Sequence, residues 1–218
     1  MPTALDHLVI GAATLQQGVD YVRDTMDIDM PFGGIHHSMG THNHLVRLGG
    51  EVFLEIIAIN PDGKPPANPR WYGLDDPLVR QQIAKQPVLL TWVINSDNVH
   101  DLVESATVPA GTPQQVVRDN LSWYFAIPED GRLLAAGMLP YLIQWQTPHH
   151  PSRDMAERHC SLQRLEIHHP MPQWLTQALQ AIDADSHVEV VPLPTDGVAK
   201  LVAIIETPNG ICRLESAG

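Results

Sequence analysis

Four histidines fall within GGIHHSMGTHNHLVRLGG, residues 33–50: His36, His37, His42 and His44. Imidazoles at this density raise the question of metal ligation, against a strand whose imidazoles point two ways. A transition metal needs several imidazoles or carboxylates meeting at one point. If THNHLVRL is a strand, His42 and His44 share one face while Asn43 and Leu45 take the other. Two residues so spaced stand roughly 7 Å apart along the strand, close enough to share a ligand and awkward for chelating one ion. Both readings stay open: rim imidazoles, or part of a metal site completed by His7. Two other residues stand out by context. His7 sits inside the apolar run ALDHLVI, and Glu55 inside FLEIIAI. A carboxyl in such a run is costly to bury unless it is paired, liganded or protonated.

The elements that must position these groups emerge from periodicity. ALDHLVI reads as a buried strand, and Thr14 stands at the N-cap of a helix in which Leu15, Val19, Val22 and Met26 recur at helical spacing. THNHLVRL and EVFLEIIAI are strands separated by Gly49-Gly50, a hairpin signal. PDGKPPANP, residues 61–69, is a loop, and WYGLDDPLVRQQIAKQ is one helix or two short ones with Pro77 at a first turn. The pattern then repeats. VLLTWVIN is a strand, Ser96 or Asp97 can cap the helix NVHDLVESA, Pro109 to Pro113 is a loop, and LSWYFAI and LPYLIQWQ are strands. A third round starts from Cys160: LQRLEIHH, the helix PQWLTQALQAI, and the short strands VEVVPL, KLVAIIE and ICRLE. A strand–helix–strands unit thus recurs as a repeat of pattern rather than of residue identity.

Composition narrows the function classes. Of 218 residues 44% are hydrophobic and 17% charged, the balance of a folded globular chain. Thirteen Lys and Arg against 25 Asp and Glu give a net charge of −12, which disfavours nucleic acid and anionic lipid as partners. The two cysteines, Cys160 and Cys212, form no CxxC pair and read as buried thiols in a reducing cytoplasm. The N-terminal segment MPTALDHLVIGAATLQQ lacks a basic region and a long apolar run, so a cytoplasmic location is expected. No GxGxxG, P-loop or HExxH pattern is present.

Leu5-Asp6-His7 on the first strand, Gly40-Thr41-His42-Asn43 entering the hairpin, Phe53-Leu54-Glu55 after it, TWVINSDNVHDL and LPYLIQWQ together resemble the vicinal oxygen chelate superfamily, and within it the glyoxalase-like domain proteins. The resemblance runs to about residue 146; beyond it only the pattern matches. It implies an α+β fold of βαβββ units forming a half-open β cup with flanking helices, as in the glyoxalase, bleomycin-resistance and extradiol-dioxygenase proteins. Residues 1–148 would be a paired domain, with units at about 4–60 and 88–147, and residues 160–216 a third, shorter unit. The superfamily's ligand positions map onto His7, Glu55, Thr91 and Gln144. Thr91 offers only a neutral hydroxyl, so His7, Glu55 and Gln144 are the expected metal ligands. That set departs from the two histidines and one carboxylate of an extradiol iron site.

The resemblance implies a lyase or isomerase of the glyoxalase type acting on a small oxygenated substrate. A divalent metal (Zn, Ni, Mn or Fe) would polarise an oxygen while Glu55 moves a proton. His42, His44, Arg47, Trp92 and Trp123 are expected to contact the substrate. The alternative is a metal-free binding or sequestering protein of the bleomycin-resistance type. The expected partner is a small molecule, with the chain a monomer or a homodimer.

Overall fold

A computed structural model describes residues 2–217. The first unit runs β1 (Thr3–Gly11), α1 (Leu15–Met26), β2 (Phe32–His36), β3 (Thr41–Arg47) and β4 (Phe53–Ile59). A short 3-10 turn, Trp71–Gly73, and α2 (Pro77–Lys85) lead to the second unit: β5 (Val88–Ser96), α3 (Val99–Ser105), β6 (Thr112–Arg118), β7 (Leu121–Ile127) and β8 (Tyr141–Trp145). β9 (Ser161–His169), α4 (Pro172–Ala181), β10 (Glu189–Pro192), β11 (Lys200–Thr207) and β12 (Gly210–Glu215) complete the chain. Two strands lie where none was expected. β2 absorbs the segment around His36, and β6 starts at the end of the Pro109–Pro113 loop and continues to Arg118.

The first eight strands form one curved sheet in the order β2-β3-β4-β1-β5-β8-β7-β6. β1 runs parallel to β4 and antiparallel to β5, so the two units meet along their first strands. The outer strands β2 and β6 approach each other across the opening, and the sheet is nearly closed. This is the expected α+β cup. The last four strands form a separate sheet, β10-β9-β11-β12, whose β11 and β12 lie against β5.

Alternation along the strands divides the apolar residues into two clusters. Leu8 and Ile10 of β1 and Leu54 and Ile56 of β4 pack with Val19, Val22 and Met26 of α1, as the helical spacing predicts. Leu165, Ile167, Leu201 and Ile205 of the second sheet join that cluster, so residues past the cup share its outer core. Val9, Ile57, Val93, Phe125, Tyr141 and Ile143 point the other way and line the inside of the cup.

Capping reflects local chemistry. Thr14 accepts from the Gln17 N–H, and Asp76 accepts from the Leu78 and Val79 N–H groups ahead of Pro77. α3 is capped by Asn98 rather than by Ser96 or Asp97, because Asn98 Oδ1 reaches the Asp101 N–H. No helix among the described residues is long and apolar enough to cross a membrane.

Candidate active site

β1 carries an extra residue relative to β5. Leu5 pairs with Ile94 and His7 with Val93, which leaves Asp6 as a bulge. The bulge turns Asp6 and His7 to the same side, and His7 Nδ1 lies 2.5 Å from Asp6 Oδ1. Asp6 is wholly buried, and its other oxygen accepts from His150 Nε2 at 2.9 Å, Asn95 Nδ2 at 3.0 Å and Trp145 Nε1 at 2.7 Å. Burial alone would push this carboxyl up; the hydrogen bonds from His150 and His7 overcome it and hold the group well below the usual carboxylate range. A permanent carboxylate at Asp6 fixes the proton of His7 on Nδ1 and leaves Nε2 as a lone pair facing the pocket.

His7 Nε2 has two polar neighbours there. The Tyr72 hydroxyl is 3.3 Å away and Glu55 Oε2 is 3.6 Å away. Phe53, paired with His7 across β4, stacks on its ring with centroids 4.5 Å apart. Tyr72 enters from the 3-10 turn with a left-handed backbone, φ 57° and ψ 21°. Its N–H donates to the Tyr141 hydroxyl at 3.1 Å, and that hydroxyl donates in turn to the Arg132 carbonyl. Burial, with Glu55, Tyr141 and Asp6 close by, raises the Tyr72 phenol well above its ordinary value, so it remains a donor.

Asn43 of β3 donates to Glu55 Oε1 at 2.6 Å. Arg118, from β6 on the far edge of the cup, reaches across the gap to Asn43 Oδ1 at 3.4 Å and to His36 Nε2 at 3.1 Å. His36 Nδ1 faces the Thr41 hydroxyl at 3.1 Å. Burial, and then the Arg118 guanidinium, push His36 down to about 3, so it is a neutral acceptor. Trp71, Tyr72, Trp123, Phe125 and Trp145 wall the pocket, whose volume is about 440 Å³ counting its open mouth. Pro151 and Met155 lie at that mouth, on the segment joining the cup to the second sheet. His150, which holds this segment to Asp6, also caps its 3-10 turn by accepting from the Ser152 N–H.

Of the expected site residues, His7, Glu55 and Trp123 line the pocket. Gln144 does not join them. It lies on the outer side of β8, where its Oε1 accepts from the Val99 N–H at the start of α3, while its neighbours Ile143 and Trp145 face inward. Thr91 is buried with its hydroxyl directed to the Trp92 carbonyl. Trp92 belongs to the outer core and donates to the Met138 carbonyl. His44 Nδ1 meets the Met30 carbonyl, and Arg47 Nε donates to the Gly50 carbonyl, both away from the pocket. His42 shares the outward face with His44, and Asn43 and Leu45 take the inward one. His36, one of the four clustered histidines, does line the pocket, as does Trp145. Asp6, Asn43, Tyr72, Arg118 and His150 were not anticipated as site residues, although Asn43 had a signal, being the alternate of His42 and His44.

The sequence matches the family model described as a glyoxalase-like domain over residues 5–182. No curated protein matches it. Among solved structures, a hypothetical protein from Staphylococcus aureus aligns over 100% of this chain and 87% of its own, at 16% identity and a TM-score of 0.60. A variant 4-hydroxymandelate synthase from Streptomyces coelicolor aligns over 98% of this chain and 62% of its own, at 12% identity and a TM-score of 0.47. Methylmalonyl-CoA epimerase from Mycobacterium tuberculosis aligns over 65% and 85%, at 14% identity and a TM-score of 0.39. At such identities the likeness is one of fold.

Members of this superfamily commonly hold a divalent metal in the cup. The donors of this chain do not fit one. His7 Nε2 and Glu55 Oε2 face each other, but the Gln144 amide is turned outward and both Asp6 oxygens are already engaged. The nearest further oxygen to His7 Nε2 is a phenol that burial keeps protonated. Among the described residues no three or more His, Cys, Asp or Glu side chains are grouped to share an ion. One imidazole and one carboxylate are too few for the four-coordinate or octahedral shells of these metals.

Proposed function

The chain belongs to the glyoxalase-like domain family of the vicinal oxygen chelate superfamily, and on that premise we propose that it is an isomerase or lyase that moves a proton on a small oxygenated molecule without a metal. The observation that carries this reading is the Asp6–His7 pair, with His7 Nε2 standing 3.6 Å from Glu55 inside an aromatic pocket. His7 is the base. Its Nε2 takes a proton from a carbon beside a carbonyl, and the Asp6 carboxylate stabilises the imidazolium that forms. The electron pair of the broken C–H bond moves to the carbonyl oxygen, where the Tyr72 hydroxyl donates a hydrogen bond to the enolate. Glu55, held by Asn43 beside His7 Nε2, relays the abstracted proton back toward the enolate. Returning a proton to the same or the adjacent carbon gives an isomerase, and expelling a leaving group from the next carbon gives a lyase. Positioned acid–base groups of this kind contribute about 10²–10⁴-fold in rate.

The test is deuterium exchange measured by NMR, on a panel of small 2-oxo and 2-hydroxy carbonyl compounds in D2O. The wild type is expected to label the carbon beside the carbonyl of at least one compound, unaffected by a chelator. His7→Ala or Glu55→Gln should slow that exchange at least 100-fold, in line with the ~10²–10⁴ contribution of such groups. Exchange that a chelator abolishes, or that survives both substitutions, would refute the proposal. The five aromatic walls favour a second reading, a binding protein, which predicts saturable ligand binding with no exchange.

A further inference from the structure

The proton-transfer groups leave part of the pocket unexplained. Arg118 is 9% exposed and Trp71 is 3% exposed, and both line the pocket. Each has a buried N–H with no partner: Nε of Arg118 and Nε1 of Trp71. The two hydrogen bonds Arg118 does make run to uncharged acceptors, the His36 imidazole and the Asn43 amide. Glu55 and Asp119 attract the guanidinium, but neither is hydrogen-bonded to it, and Glu55 Oε1 is bonded to Asn43. A buried cation without a bonded anion is expensive, and a second unsatisfied donor in the same pocket lining adds to the cost. The fold nevertheless makes room for it. A Cβ on Gly34 would stand 3.0 Å from Arg118 Cδ and 3.2 Å from its Nε, so the glycine leaves the arginine room to pack against β2. The guanidinium carbon lies over the Trp123 ring, 6.0 Å from its centroid, at the outer range of a cation–π contact.

We infer that Arg118 and Trp71 receive a carboxylate group of the substrate. This rests on the pocket being the substrate site, as proposed above. A carboxylate has two oxygens with in-plane lone pairs, enough to take a guanidinium N–H and an indole N–H together. Its charge balances Arg118 in a region where His36 stays neutral. Anchored on the β6 side, the carboxylate leaves the rest of a small molecule to extend toward His7 and Glu55. The substrate class is therefore a small organic acid carrying a second, carbonyl oxygen.

The experiment uses ligands that cannot turn over, so that it reads binding alone. Benzoate and phenylacetate are titrated against benzamide and phenylacetamide, monitored by the fluorescence of Trp71, Trp123 and Trp145, which line the pocket, with calorimetry as a check. Each acid is expected to bind about tenfold or more tightly than its amide, the scale of one desolvated charge-assisted contact. Arg118→Met should erase that preference. Trp71→Phe should weaken the acids about three- to tenfold, one neutral hydrogen bond, and leave the amides unchanged. His7→Ala should preserve the preference, so that a failure of the proton-transfer reading leaves this ratio intact. Equal binding of acids and amides, no saturable binding of either acid, or a preference that persists in folded Arg118→Met would overturn the inference. If Arg118→Met does not fold, Trp71→Phe decides: an equal loss for acids and amides overturns it.

Discussion

Replacing Asp6 by asparagine tests the group that orients His7. The wild-type carboxylate accepts four hydrogen bonds, one on Oδ1 and three on Oδ2, and offers no donor. Asparagine has one acceptor oxygen. Three donors converge on the Oδ2 side, so the amide oxygen will sit there and the NH2 group will face His7 Nδ1. His7 must then give up its Nδ1 proton and carry it on Nε2, the wrong tautomer for a base. The loss of a buried charge that bonds two imidazoles should cost about 3 kcal/mol, the lower end for breaking a buried pair. In a domain of this size that is a fall in Tm of roughly 6–12 °C. Exchange activity should fall by about 10⁴-fold, as expected where a base is held in the wrong tautomer.

The acid limb of stability changes too. The folded-state pKa of Asp6 is depressed, so its contribution is present above the unfolded value of about 3.9 and is lost as pH falls below it. Urea midpoints measured from pH 3 to 7 should therefore fall less steeply below about pH 4 in Asp6→Asn than in the wild type. Nitrogen-15 shifts of the His7 ring report the tautomer directly. An unchanged midpoint, or a His7 ring still protonated on Nδ1 in the variant, refutes the reasoning.

Other substitutions probe the remaining supports. His36→Gln should flatten the loss of stability on acidification from about pH 6.5 toward 4, because the folded-state pKa of about 3 makes the unfolded chain take up a proton first; the slope removed is at most about 1.4 kcal/mol per pH unit, read from urea midpoints. Tyr141→Phe leaves the Tyr72 N–H without its acceptor and should cost about 1–3 kcal/mol in the same measurement. Gly131→Ala should abolish folding or lower Tm sharply, as a Cβ there would lie 2.1 Å from the Arg70 carbonyl oxygen on a backbone with φ of 68°. Gln144→Ala should cost only about 1 kcal/mol, the loss of its bond at the start of α3, and should leave exchange activity unchanged.

The cup was legible because its long elements carry strong patterns. ALDHLVI, FLEIIAI and VLLTWVI are apolar runs of strand length, and the α1 spacing is helical throughout. The two units also agree in detail, since β1 and β5 each carry a register shift one residue before His7 and Thr91, at Asp6 and at Leu90. What failed was parity. YLIQW has no polar–apolar alternation, so nothing in it distinguishes the inward set Tyr141, Ile143 and Trp145 from the outward pair Leu142 and Gln144. A bulge compounds the problem, because it lets Asp6 and His7 share a side that alternation denies them. Arg118 was hidden for a different reason. In TPQQVVR the valine before it is 62% exposed while the arginine points inward, the reverse of what polarity suggests.

The position of His150 gives the rest of the chain a role in the site. Three donors on the second oxygen of Asp6 fix the carboxylate that meets His7, and one of them, His150, lies beyond the last strand of the cup. His150 caps the turn that brings Pro151 and Met155 to the mouth of the pocket, so the same carboxylate that fixes the base also holds this segment in place. That segment is anchored in turn at its far end, where the Leu162 N–H donates to the Leu48 carbonyl at 2.9 Å and the β9 side chains Leu165 and Ile167 enter the outer core. A cup ending at β8 would leave the second oxygen of Asp6 with two donors, Asn95 and Trp145, in place of three, and the pocket without Pro151 and Met155 in its lining. The family match running on to residue 182, through β9 and α4, has the same extent as these anchoring elements. The second sheet thus backs β5 on its outer face, and the segment that leads to it helps hold the carboxylate that orients His7.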